Sequence, residues 1–152
     1  MAHQYTAEII WERGNQAFLD NRYSRQHRLK FDGVEVVGSS SPLVVPLPFS
    51  EPQALDPEEA FVAAISSCHM LWFLSIAVKH GFIVDHYHDT AVGVMTLNEQ
   101  KKYWVSAVNL QPKIEFSGAK TPTSEELEQL HHEAHEECFI ANSVKTKITV
   151  NS

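Results

Sequence analysis

Two cysteines in 152 residues are too few for the disulfide framework of a secreted scaffold. A basic surplus is also missing. The net charge is −7, which leaves no broad positive field for nucleic acid or an anionic membrane. The opening MAHQYTAEIIWER has no basic stretch followed by an apolar run, so no secretory signal is expected. Internal repeats and low-complexity tracts are absent, which excludes solenoids and arrays. These absences lead to one domain over residues 1–152, in a reducing cytoplasm, with no nucleic-acid or membrane partner.

What is present is an alternation of short strand patterns with two helix patterns. Tyr5, Ala7, Ile9 and Trp11 alternate with more polar positions, as in a half-buried strand. RQHRLKF and VEVVG flank Asp32-Gly33, a two-residue hairpin signal. Pro42, Pro46, Pro48 and Pro52 make the next stretch an extended, poorly paired connection. Asp56 as cap, Pro57 at the first helical position and Glu58-Glu59 in the first turn then start a helix. Lys79, His80 and Gly81 stop it. From Pro57 to His80 it would extend roughly 36 Å at 1.5 Å per residue.

Nearly every face of that helix from Ala60 to Val78 is apolar. A stretch of this kind approaches the length of a membrane span, but Ser66, Ser67, His69 and Ser75 interrupt it. A core helix buried all round, with help from a partner subunit, is the reading that fits. TAVGVMTL and YWVSAVNL form a hairpin that continues through QPKIEFSG. Thr123 and Glu126 make a capping box for a second helix ending near Cys138, and VKTKITV closes as a strand. The order is β-β-β-α-β-β-α-β, an α+β domain.

Each cysteine taken alone has a plain explanation, since a free buried Cys is common and inert. The pair changes the weighing. Cys68 and Cys138 lie on apolar faces of two helices expected to pack together. A reversible dithiol/disulfide couple is then open to the chain. Such chemistry needs a thiolate, hence a nearby positive group, and a second thiol to trap the sulfenic acid. His69 follows Cys68 but points about 100° away, so a core histidine with a satisfied hydrogen bond fits it better than a general base.

DPEEAFVAAISSCHMLWFLSIAVKHGF resembles the central helix of the OsmC/Ohr family, the osmotically inducible and organic hydroperoxide resistance proteins. The matching residues are Asp56-Pro57-Glu58, Ala63-Ala64 and Ser67-Cys68. HHEAHEECFIANSVKTKITV resembles the second helix, second cysteine and last strand of that family, so the likeness covers nearly the whole chain. It implies an intertwined homodimer with a long buried central helix and an organic hydroperoxide as substrate. Cys68 is implied as the peroxidatic thiol and Cys138 as the resolving thiol. Glu58 is implied to orient an arginine that stabilises the Cys68 thiolate. It further implies a dithiol reductant, lipoylated proteins among the candidates, and no cofactor is expected. In one branch of the family the arginine precedes the helix, where SPLVVPLPFSEPQAL has none; in the other it comes from an early loop, where Arg22 and Arg25 stand. Arg25 is preferred because it shares strand parity with Leu29 and Phe31.

Glu58 and Cys68 are ten residues apart, roughly 15 Å along a straight helix, so either the Glu58 turn is distorted or one site takes the two residues from different chains. A site built across the dimer is expected. Phe61, Met70, Trp72 and Phe73 are expected to line an apolar pocket. Cys138 is followed by Phe139, where the family often has proline. Two rivals remain. His131, His135 and Cys138 share one helix face at a spacing that suits Zn²⁺, against which a solvated polar face is preferred. The other is a non-catalytic dimer of the same fold that binds small apolar ligands.

Overall fold

The computed structural model describes residues 2–152. The chain divides into two compact units, Met1–Ala60 and Phe61–Ser152. The reason lies in the sheets. The first three strands pair only with one another, and none pairs with a later strand.

In the first unit β1 (Glu8–Ile10), β2 (His27–Lys30) and β3 (Glu35–Gly38) form an antiparallel sheet in the order β1-β2-β3. Asp32 and Gly33 make the turn between β2 and β3, closed by the Phe31 amide donating to the Val34 carbonyl at 2.8 Å. Arg28 and Glu35 meet across these strands at 3.1 Å on the surface. The proline-rich connection after Gly38 forms turns rather than strand. It is tied back by the Ser39 amide on the Leu55 carbonyl (3.0 Å) and the Glu51 amide on the Ser39 hydroxyl (2.9 Å).

Helix α1 (Pro57–Lys79) starts where the sequence places it. The Glu59 amide donates to Asp56 Oδ1 at 2.8 Å and the Asp56 amide to Glu59 Oε2 at 3.3 Å, a reciprocal cap. Gly81 ends it with φ of 81°, a conformation in which a side chain would be strained.

In the second unit β4 (Ile83–Asp89) pairs with β7 (Pro112–Ser117) as one antiparallel ribbon. β5 (Val92–Leu97), β6 (Tyr103–Leu110) and β8 (Lys147–Val150) form another sheet, with β6–β8 parallel. Helix α2 (Ser124–Glu137) connects β7 to β8 through a short 3-10 turn, Ala141–Ser143. The α+β class is as expected, but four strands stand between the helices instead of two. β4 escapes pattern reading because a bulge between Val84 and His86 breaks its period of two. β7 is a separate strand because Pro112, which cannot donate to a ladder, takes its first position.

Two apolar clusters hold this unit. Phe73, Ile76 and Ala77 of α1 pack with Phe82, Leu130 and Ala134, and with Tyr87 and Phe116 of the ribbon. Toward the start of α1, Ile65 packs with Val108 and Leu110 of β6. Gly93 on β5 permits that approach, since a Cβ there would come within 2.6 Å of Val62 Cγ2. Each fully buried residue of this kind is worth about 1.5–3 kcal/mol.

Within the single chain α1 is not buried all round. Ala63, Ala64, Ser67, Leu71, Ser75 and Val78 are exposed, with Leu71 at 59% and Val78 at 76%. They fall on one stripe of the helix, the side that the strands of the second unit and α2 leave uncovered.

The capping box of α2 is as the sequence implies. The Glu126 amide donates to Thr123 Oγ1 at 3.1 Å, and the Thr123 amide to Glu126 Oε2 at 2.9 Å. Thr123→Ala is expected to cost about 1 kcal/mol of stability, measured by urea denaturation. An unchanged midpoint would mean that α2 is held by packing alone.

Candidate active site

At 100° per residue, Cys68 falls on the border between the exposed stripe of α1 and its buried face. It is accordingly half-exposed. Cys138 caps the C-terminus of α2 and is 1% exposed. Its extended backbone, φ −64° and ψ 115°, stops the helix while its N–H still donates to the Ala134 carbonyl at 3.0 Å. The turn beyond closes on the sulfur: the Ala141 amide donates to Cys138 Sγ at 3.4 Å.

Both cysteines are free, and the Cys68 thiol lies near enough to Cys138 to act on its ionisation. Burial, seconded by the Cys68 thiol, pushes the Cys138 thiol up to about 11, while the Ala141 amide pulls weakly the other way. At neutral pH Cys138 is therefore a protonated, sheltered thiol, and Cys68 is the sulfur a solute can reach. That asymmetry suits a couple in which one thiol reacts and the other resolves.

The charged residues assigned to the thiol, Glu58, Arg22 and Arg25, belong to the first unit, and the cysteines to the second. Arg25 precedes β2, so the strand-parity argument for it does not hold. Its guanidinium is held by its own loop. Nη2 donates to Asn21 Oδ1 at 2.7 Å, Nη1 to the Asn21 and Tyr23 carbonyls, and the group stands 3.7 Å from the Tyr23 ring centre. Arg22 lies over Phe49 at 5.7 Å. Glu58 has one carboxylate oxygen, Oε2, that is buried without a hydrogen-bond partner.

Of the expected pocket residues, Phe73 is a correction. It is wholly buried between α2 and the ribbon because it sits about 140° round the helix from Cys68. Phe61 packs onto the Ile65 cluster, and Met70 is half-buried. Trp72, one turn beyond Cys68, is half-buried and meets Phe139 edge-on with ring centres 5.4 Å apart. Phe139 was not singled out for the pocket; its place next to Cys138 was the available signal.

The histidines form a separate arrangement. His69 Nε2 and His131 Nδ1 share a hydrogen bond of 2.9 Å in the core. His69 is thus a satisfied core histidine. His131 is 4% exposed, not part of a solvated face as expected, because it packs against Phe73 at 4.5 Å between ring centres. Burial lowers both to about 4, His135 adding to the effect on His69 while Asp89 opposes it. Asp89 itself accepts from the Ser66 hydroxyl and the Gln111 amide. Among the described residues no three His, Cys, Asp or Glu side chains stand together as a metal site, so His131, His135 and Cys138 are not a zinc set. A cavity of about 500 Å³ lies along Glu128, His131, His132 and His135 of α2 and Ile148 and Val150 of β8; neither cysteine lines it.

Comparison with known proteins places this architecture. A family model described as OsmC-like protein matches residues 50–152. An OsmC-like protein of unknown function from Vibrio cholerae superposes with a TM-score of 0.96 at 49% identity, over 99% of each chain. An organic hydroperoxide resistance protein from Elizabethkingia anophelis gives 0.70 at 20% identity, over 99% of this chain and 95% of the other. The organic hydroperoxide resistance protein OhrB of Bacillus subtilis gives 0.65 at 16% identity, over 97% and 98%. At the last two identities the likeness is one of fold. No curated protein sequence matches.

Proposed function

The chain belongs to the OsmC-like family, and from that premise we propose that it is a cysteine-dependent peroxidase for organic hydroperoxides, acting in oxidative-stress defence in the cytoplasm. The observation that carries the reading is the nearness of the Cys68 and Cys138 thiols, brought from two different helices, one reachable and one buried. The fold shared with proteins named for organic hydroperoxide resistance supports it.

The chemistry balances within the pair and one external dithiol. The Cys68 thiolate attacks the terminal peroxide oxygen. An S–O bond forms, the O–O bond breaks, and the alkoxide leaves as the alcohol after taking a proton. Cys138 sulfur then attacks Cys68 sulfur. An S–S bond forms, the S–O bond breaks, and hydroxide leaves as water with the Cys138 proton. A dithiol, a lipoyl group being one chemical candidate, reduces the disulfide by exchange and is itself oxidised.

The exposed stripe Ala64, Ser67, Leu71, Val78 supports a homodimer, since an apolar helix face of this length is stabilised by a second copy. In that assembly Glu58 with Arg25 or Arg22 is assigned to stabilise the Cys68 thiolate of a partner chain. Chains carrying Glu58→Ala mixed with chains carrying Cys68→Ser test this. Recovery of a substantial share of wild-type activity in the hybrid is expected. A hybrid as inactive as its parents would reject the shared site.

The test of the reading itself is dithiol-dependent consumption of cumene hydroperoxide and of hydrogen peroxide, with dithiothreitol and with a lipoylated protein as reductant. Consumption of cumene hydroperoxide, with a Cys68–Cys138 disulfide trapped after mixing, is the expected result. Protein that consumes neither peroxide, and forms no disulfide on exposure, overturns it and leaves the non-catalytic ligand-binding dimer.

A further inference from the structure

The cavity along α2 and β8 lies away from the two thiols, neither of which lines it. Glu128, His131, His132 and His135 fall at i, i+3, i+4 and i+7, so one face of α2 supplies all four to it. Ile148 and Val150, two positions apart on one face of β8, give it an apolar lining. Its volume of about 500 Å³ is in the range of small-molecule sites.

His131 is the most buried of the four side chains, at 4% exposed. His69 takes its Nδ1 at 2.9 Å, and Phe73 lies against the ring. Nε2, on the far side of the ring from that bond, is buried without a hydrogen-bond partner. Buried polar atoms are nearly always paired, so this one marks a place where a partner belongs. The ring is neutral at pH 7, because burial lowers it to about 4. A neutral imidazole carries a single ring proton. If Nδ1 donates to His69, Nε2 is an acceptor; if Nδ1 accepts, Nε2 is an N–H donor. A hydroxyl serves either state, since it both donates and accepts. An anion is opposed by Glu128, and no lysine or arginine lines the cavity. A metal ion lacks three side-chain ligands that stand together there.

We propose that this cavity binds a small neutral molecule with a hydroxyl on an apolar body, a phenol or a cyclic alcohol. Its hydroxyl pairs with His131 Nε2, and its body packs on Ile148 and Val150. His69 is the positioning residue of the site: its bond holds the His131 ring and sets which state Nε2 presents. The site does not depend on the peroxidase reading, because it uses neither cysteine.

Phenol is the probe, titrated into the whole wild-type chain at pH 7.5 while NMR follows the His131 ring nitrogens. Saturable binding that moves those nitrogens is expected. Benzene keeps the apolar body without the hydroxyl, and benzoate puts a charge in its place. Both are expected to bind about tenfold more weakly or worse, as when a buried polar group is left without its partner. Val150→Phe, which fills the cavity from β8, is expected to weaken phenol by a similar factor. Phenol that leaves the His131 nitrogens unmoved overturns the site, and so does benzene that binds as tightly as phenol. Unchanged phenol affinity in folded Val150→Phe overturns it as well; if that variant does not fold, the comparison of the three probes on wild-type protein decides. Protein inert toward peroxides is a separate failure, which removes the peroxidase reading and leaves phenol binding as expected.

Discussion

Cys68→Ser is expected to abolish dithiol-dependent consumption of cumene hydroperoxide, by more than about a thousandfold, as when the nucleophile of a covalent mechanism is removed. Cys138→Ser is expected to behave differently. Its Cys68 is intact, so one equivalent of alcohol forms in a burst. The sulfenic acid then has no resolving thiol in contact. With excess peroxide and no added thiol it gains second and third oxygen atoms, which intact-mass measurement reads directly. The contrast follows from the exposure of the two sulfurs, one half-exposed and the other 1% exposed. If Cys138→Ser were the inert variant, and Cys68→Ser retained the burst, the roles would be reversed. If both variants consumed peroxide like the wild type, the thiols would be packing residues.

Acid is expected to destabilise the second unit well before its carboxylates are protonated. His69 and His131 are buried, neutral and joined by one hydrogen bond. Burial holds both at about 4, below the ordinary 6.5. A group depressed in the folded state leaves the unfolded chain binding more protons throughout the interval between the two values. The stability tied to neutral imidazoles is thus fully present above about pH 6.5. It declines as pH falls and is lost by about pH 4. Each unit of depression corresponds to about 1.4 kcal/mol, and because the two rings share a bond the pair loses on the order of a few kcal/mol rather than a simple sum.

Thermal melts at pH 7.5, 6 and 5 measure this. Wild-type Tm is expected to drop across that series. The double variant His69→Leu with His131→Phe removes both titrating rings and leaves neither without its partner, so its acid slope is expected to be much flatter. An equally steep slope in the double variant would assign the acid sensitivity to other groups.

Much of this molecule was legible in its sequence wherever the signal is local. Asp56, Glu59, Thr123 and Glu126 mark helix starts because a cap acts within four residues. Gly81 marks a helix end because its backbone must enter the left-handed region. Asp32-Gly33 marks a hairpin for a comparable reason. The two cysteines were visible as a pair on helical faces. That their side chains lie near one another needed the packing of α1 on α2, which no spacing states.

Other features had no local signature. β4 was hidden by its bulge, and the second sheet takes its parallel β8 from the far end of the chain. Phe73 and Trp72 are adjacent aromatic residues in the sequence, yet one is sealed in the core and the other stands beside Phe139. A step of 100° round α1 decides between those fates, and only the surrounding elements determine which side is inside. His131 lies in a run of polar residues that reads as solvated, and burial against Phe73 and His69 makes it part of the core. The sequence by itself determined the helices, their ends and the identity of the two thiols, because those depend on short-range backbone chemistry. The tertiary structure decided which thiol is sheltered, which aromatic rings flank them and which histidines stay neutral, because burial is a property of what packs around a residue.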